Sequence, residues 1–208
     1  KVRGASPNQA LPALQVFWST RNAPVDGTLA QGQIGTSFFQ SSSAGGLRIY
    51  LLGDAASDAD EYDSPVVAHE WGHYLQTAVS RDDSVGGSHT GNDRLDMRVA
   101  FSEGFGNAFA GMALGNPRYT DSFIDAQGQL RGGVIDVSSN TFTNKGWYSE
   151  DSVQYLLWTW HQDSRIGFAP MYNVLTGPMR TSGALVGIHH FAHRLKQAQA
   201  SAAAFIDS

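Results

Sequence analysis

Residues 69–73 read His-Glu-Trp-Gly-His. Imidazoles at positions i and i+4 of a helix leave the same face, so His69 and His73 can reach one ion, with Glu70 beside them. The flanking residues agree with a helix. With Val67 as reference, Trp71, Tyr74, Leu75 and Ala78 form one apolar stripe and the two histidines fall on the opposite side. Two histidines leave a catalytic zinc site one protein ligand short, since such sites commonly take three and keep a position for water. The glutamates of the chain are Glu61, Glu70, Glu103 and Glu150. Glu103 is the obvious third ligand, because it lies on a second expected helix, at about 96–114. There Phe101, Phe105, Phe109 and Met112 make a core stripe. Glu103 sits opposite them among Ala100, Gly104, Asn107, Ala110 and Gly111, small residues that let another helix approach. His89, in the Gly-rich loop Arg81–Asp93, is the rival third ligand.

The pair His69–His73 and Ser102-Glu103-Gly104-Phe105-Gly106-Asn107 resembles the gluzincin branch of zinc metallopeptidases. The wider stretches Asp60-Glu61-Tyr62-Asp63 and Ser80-Arg81-Asp82 are similar to exported bacterial proteins with the same two motifs. A metzincin pattern fails, since Gln76 and Val79 stand where it needs Gly and His. The resemblance covers roughly residues 33–160. It implies an α+β, zincin-like fold: a small N-terminal β-sheet, a mainly helical remainder and an active-site cleft between them. The expected organisation is a single domain over 1–208, with a sheet-plus-helix lobe at 1–80 and a mainly helical lobe at 81–208.

The same resemblance implies Zn2+ on His69, His73 and Glu103, with Glu70 as general base on the zinc-bound water and a peptide or protein as substrate. Tyr148, in Tyr148-Ser149-Glu150-Asp151-Ser152-Val153, stands where thermolysin-like enzymes carry an oxyanion-stabilising His. Two features depart from that pattern. His73 and Glu103 are 30 residues apart, so a loop must be accommodated between the ligand helices. Asn107 replaces the usual Asp; its oxygen can still accept from a ligand His, but it adds no charge. The expected function is zinc-dependent peptide-bond hydrolysis. The alternative is a zinc-bearing, non-catalytic binding or adhesion module of the same fold.

Around these residues, Ser64-Pro65 reads as a cap and first-turn proline opening a helix from Pro65 to about Ser80. Strands are expected at Ile34–Phe39 and Leu47–Leu52, joined by a turn at Ser41–Gly46. Residues 1–30, with Pro7, Pro12 and Pro24, read as irregular, and 115–147 as mostly loop with a short strand near Val134–Val137. Further helices are expected at about 150–162 and 182–200. His189 and His193 share a face of the last one, which reads as solvated. Trp147, Trp158 and Trp160 fit a core better than a cleft. The acidic stretch Asp54–Asp63 could hold Ca2+, although it lacks the EF-hand order and acidic residues are favoured ahead of a helix anyway.

Composition narrows the remaining classes. The chain has 208 residues, 14 basic and 19 acidic, for a net charge of −5. No Lys/Arg cluster occurs, which argues against a nucleic-acid surface. No apolar stretch approaches a membrane span. Cysteine is absent, so any metal must rest on His, Asp or Glu. The low-charge, Gly/Ser/Ala-rich composition suits a secreted, periplasmic or cell-surface protein. The sequence does not address oligomeric state.

Overall fold

The computed structural model describes residues 1–42 and 46–208. A single helical turn, α1 (Val2–Ala5), precedes a sheet of β1 (Leu14–Trp18), β2 (Phe38–Ser42) and β3 (Gly46–Leu51). Their order is β1-β3-β2, with β1 parallel and β2 antiparallel to β3. The rings of Phe17, Tyr50 and Phe38 stack across the three strands, with centroids 5.0 and 4.9 Å apart. β1 lies in a region expected to be irregular. Val16, Phe17 and Trp18 are exposed although they alternate between its two faces, so it lacks the buried alternation that marks a strand. The strand expected from Ile34 starts later, at Phe38. Gly35 takes a left-handed conformation with φ of 76°, which breaks the extended run. The turn expected at Ser41–Gly46 falls partly, at 43–45, outside the described residues.

Two long helices follow, α2 (Ser64–Val79) and α3 (Met97–Leu114). Asp63 precedes α2, but its carboxylate does not cap the helix; it accepts from the backbone N–H and hydroxyl of Ser122, both at 2.8 Å. α3 is capped by Asp96, whose side chain accepts from the Arg98 N–H, and it ends at Gly115 in the left-handed region. Phe101, Phe105, Phe109 and Met112 are all buried, as their spacing predicts. Each large apolar side chain so buried contributes roughly 1.5–3 kcal/mol.

A hairpin, β4 (Arg118–Ile124) and β5 (Leu130–Asp136), occupies most of the segment expected to be loop. Then come α4 (Glu150–Gln162), α5 (Phe168–Val174) running into a π-helical stretch at Leu175–Met179, α6 (Ile188–Ala198) and a last turn, α7 (Ala203–Ile206). The helix expected from 182 therefore begins six residues later, after Gly183 and Gly187. One hydrophobic cluster joins α2, α3, α4, α5 and α6, with Trp158 and Trp160 inside it, whereas Trp147, expected with them, is exposed; a smaller cluster, Ile34, Tyr50 and Leu52, lies by the sheet. The architecture is α+β. Among the described residues no helix is long and apolar enough to cross a membrane.

Candidate metal centre

α2 and α3 meet where both backbones are bare. A Cβ on Gly72 would lie 3.3 Å from the Gly106 Cα, and one on Gly106 would lie 2.8 Å from the His69 ring. Gly106 thus lets the Glu103 helix close against the histidine helix. Gly104 and Gly111 serve a different contact, against Val153 and Trp158 of α4. The small residues around Glu103 are therefore divided between two neighbours.

This approach brings Glu103 Oε2 to 3.3 Å from His69 Nε2 and 3.4 Å from His73 Nε2. The two Nε2 atoms are 2.8 Å apart. All three side chains are largely buried, the histidines 8% and 9% exposed. Their outer hydrogen bonds assign the protons. Asp151 Oδ1 accepts from Gln154 Nε2, Gln154 Oε1 from Asn107 Nδ2, and Asn107 Oδ1 is 2.8 Å from His69 Nδ1. Along this chain His69 must donate through Nδ1, leaving a lone pair on Nε2. A second chain does the same for His73. Ser102 Oγ donates to Asp82 Oδ2, so it accepts from His73 Nδ1, 3.1 Å away.

Two imidazole lone pairs and a carboxylate oxygen thus converge with no donor among them. Such a contact is favourable only with a cation or a proton in the middle. A tetrahedral ion with bonds of about 2.0–2.1 Å spaces its donors about 3.3 Å apart, close to both His–Glu distances, while the two Nε2 atoms, at 2.8 Å, would have to part by about half an ångström to seat it. The His69–His73–Glu103 group could hold a metal ion.

Around this group lies a cleft of about 730 Å³, walled by α2, α3, β2, β4 and the loop 82–91. Glu70 faces it. Burial pushes its carboxyl up to about 7; the neighbouring His69 lowers it, Glu103 raises it, and a backbone hydrogen bond from Phe39 of β2 lowers it again. The loop after α2 borders the cleft and carries His89, the rival ligand. Its Nδ1 is 3.1 Å from the Gly87 carbonyl, and its Nε2 is 3.1 Å from Glu150 Oε2 and 3.6 Å from Glu103 Oε2. The hydrogen bond to Glu150 raises this imidazole to about 9 against the cost of burial. A charged ring has no lone pair for a metal. In this geometry His89 pairs with Glu150, and Glu103 completes the ligand group.

The structure brings His69, Glu70, His73, Glu103 and Asn107 together. It does not bring Tyr148 to them: that hydroxyl donates to the Lys145 carbonyl, while the ring packs on Trp147 and under the Arg94 guanidinium. The tyrosine in the cleft is Tyr119 of β4, whose ring meets His69 edge-on at 5.9 Å. Burial and then the carboxylate of Glu70 keep its phenol protonated. Sequence reasoning missed Tyr119, Glu150, Ser102 and Gln154. Only Ser102 had a local signal, as the neighbour of Glu103. His189 and His193 are exposed, as expected of a solvated face. No family model, curated protein or solved structure matches the chain.

Proposed function

We propose that the chain is a zinc-dependent peptidase with a gluzincin-like site on a zincin-like fold. The observation that carries this reading is the convergence of three acceptor atoms, the two imidazole nitrogens turned inward by outer hydrogen-bond chains, beside the buried carboxyl of Glu70. Two imidazoles and one carboxylate are donors that suit zinc. A zinc ion held by His69, His73 and Glu103 supplies Lewis acidity, acidifying a water and polarising a carbonyl.

Glu70 takes the proton of the attacking water and delivers it to the leaving amine as the C–N bond breaks; a base near pH 7 suits both transfers. His89, positively charged and fixed by Glu150, and Tyr119, a neutral phenol, are the donors in the cleft that can stabilise negative charge developing on the carbonyl oxygen. β2 is an edge strand, and its Phe38, Phe39 and Ser41 line the cleft. An extended peptide can add to that edge, with its scissile bond carried toward Glu70.

The test is elemental analysis of wild type, Glu103→Ala and Glu70→Gln, purified without chelator, followed by mass-spectrometric reading of a diverse peptide library. The expected result is about one zinc per chain in wild type and Glu70→Gln, a large loss in Glu103→Ala, and cleavage by wild type only. Zinc with no peptide cut by wild type would favour the non-catalytic binding module. Undiminished cleavage by Glu70→Gln would sink the assignment of the base.

A further inference from the structure

Away from the histidines, a second group of ligand atoms converges. Asp58 and Asp60 come from the segment before α2, and Asp121 comes from β4. One oxygen of each lies within 4.8 Å of the others. Asp60 is 3% exposed, and Ser37 Oγ donates to its Oδ2. Its Oδ1 is buried with no hydrogen-bond partner, and so is Asp58 Oδ1. An unpartnered buried carboxylate oxygen is costly, and two of them in one acidic cluster call for a positive partner.

Among the described residues, the charged groups that act most strongly on Asp58 and Asp60 are carboxylates: each other, Asp121 and the nearby Asp63. Yet the backbone holds these elements together. Asp58 bridges to Phe123, the Ile124 N–H donates to the Ser57 carbonyl, and Asp63 accepts from Ser122. β4 is therefore docked along a row of like charges, which opposes the docking until something neutralises it.

We propose that Asp58, Asp60 and Asp121 bind a hard divalent cation of the calcium type, which pins β4 to the segment ahead of α2. The donors are oxygens only, and hard cations select oxygen-only sites, whereas the His–His–Glu group suits a borderline metal. Ser37 and Asp121 both line the cleft, so an ion has a route in from solvent. Asp121 is two residues from Tyr119 and on the same face of the strand. Loading this site fixes the strand that places Tyr119 against His69. The inference does not rest on the peptidase reading, since it uses none of the same ligands.

The experiment is isothermal titration of the full chain, stripped with chelator, with calcium chloride, on wild type, Asp121→Asn, Asp58→Asn and Glu103→Ala, with a thermal melt of each with and without calcium. The expected result is one calcium per chain in wild type and in Glu103→Ala. Both Asp variants should bind on the order of tenfold more weakly or worse. Calcium should raise the Tm of wild type and leave that of Asp121→Asn nearly unmoved. Because Asp121→Asn removes repulsion, its melt without calcium should match or exceed wild type, which shows that the variant folds. Absence of calcium binding at millimolar concentration would overturn the proposal, as would equal binding by the Asp variants. Stabilisation of calcium-free Asp58→Asn with no calcium uptake by wild type would mean that shared protons, not an ion, neutralise the cluster.

Discussion

The two groups among the described residues that could hold a metal ion are held in opposite ways. Around His69, His73 and Glu103, every outward-facing polar atom of the histidines has a partner, and those partners have partners, as far as Asp82 and Asp151. Around Asp58, Asp60 and Asp121, one buried oxygen each of Asp58 and Asp60 lacks a partner and the neighbouring carboxylates repel. The first group is organised before anything binds, because two helices in backbone contact fix it. The second joins a turn to a strand, and its order depends more on what neutralises it. Preorganisation here follows the element type: helix-borne ligands are aimed by packing, loop-borne ones by charge.

The largest effect that would separate the two groups comes from Glu70→Gln. A neutral amide cannot take a proton, so peptide turnover should fall about 10²–10⁴-fold with metal content unchanged. Steady-state kinetics on a cleaved peptide, with elemental analysis in parallel, checks this. Ser102→Ala probes the preorganisation directly. It leaves His73 Nδ1 without an acceptor, and the metal affinity should drop about 10–100-fold in a competition titration with a chromophoric chelator.

Gly106→Ala attacks the helix contact. The added methyl would overlap the His69 ring, so denaturant unfolding should show a loss of about 1–3 kcal/mol, together with weaker metal binding. An unchanged midpoint would mean that the helices part without cost.

A smaller effect is expected from Asp83→Asn. Asp83 accepts from Arg81 and from the Val186 N–H, tying the cleft loop to the segment before α6. The Arg81 hydrogen bond, opposed by some burial, lowers its carboxyl below the ordinary 3.8. Its stabilising contribution is therefore present above that value and fades as pH falls through the lowered one. The variant should lose up to about 1 kcal/mol at neutral pH, and the difference from wild type should close in acid. Smallest of all, Tyr148→Phe removes one hydroxyl from a surface carbonyl and should leave turnover unchanged, whereas Tyr119→Phe should slow it. Equal effects of the two would erase the distinction drawn between these tyrosines.

The same contrast explains what could be read from the sequence. α2 and α3 announce themselves through apolar residues at helical spacing, and the i, i+4 histidines ride on that pattern. The hairpin does not. In β4 the positions that face the cleft are Tyr119 and Asp121, so a polar, cleft-facing side stands in place of the apolar alternation that would have marked a strand. β1 is hidden for another reason: Val16, Phe17 and Trp18 stay exposed on both of its faces, so no buried alternation marks it. Glu150 was visible only as an acidic residue in the first turn of a helix. Its pairing with His89 spans 61 residues and depends on how a loop without regular structure returns to the cleft. Asp121 meets Asp58 and Asp60 across a similar gap, which no local pattern encodes.

The bare contact at Gly72 and Gly106 has a consequence for which ion the protein will accept. Where flexible side chains set donor spacing, a site can expand or shrink around whatever enters. Here the separation is set by two main chains already touching, with the Phe109 ring against the same spot. The helix pair then behaves as a calliper with a fixed jaw between Glu103 and the histidines: that gap already suits a small ion, and a larger one can be bound only by prying two packed helices apart.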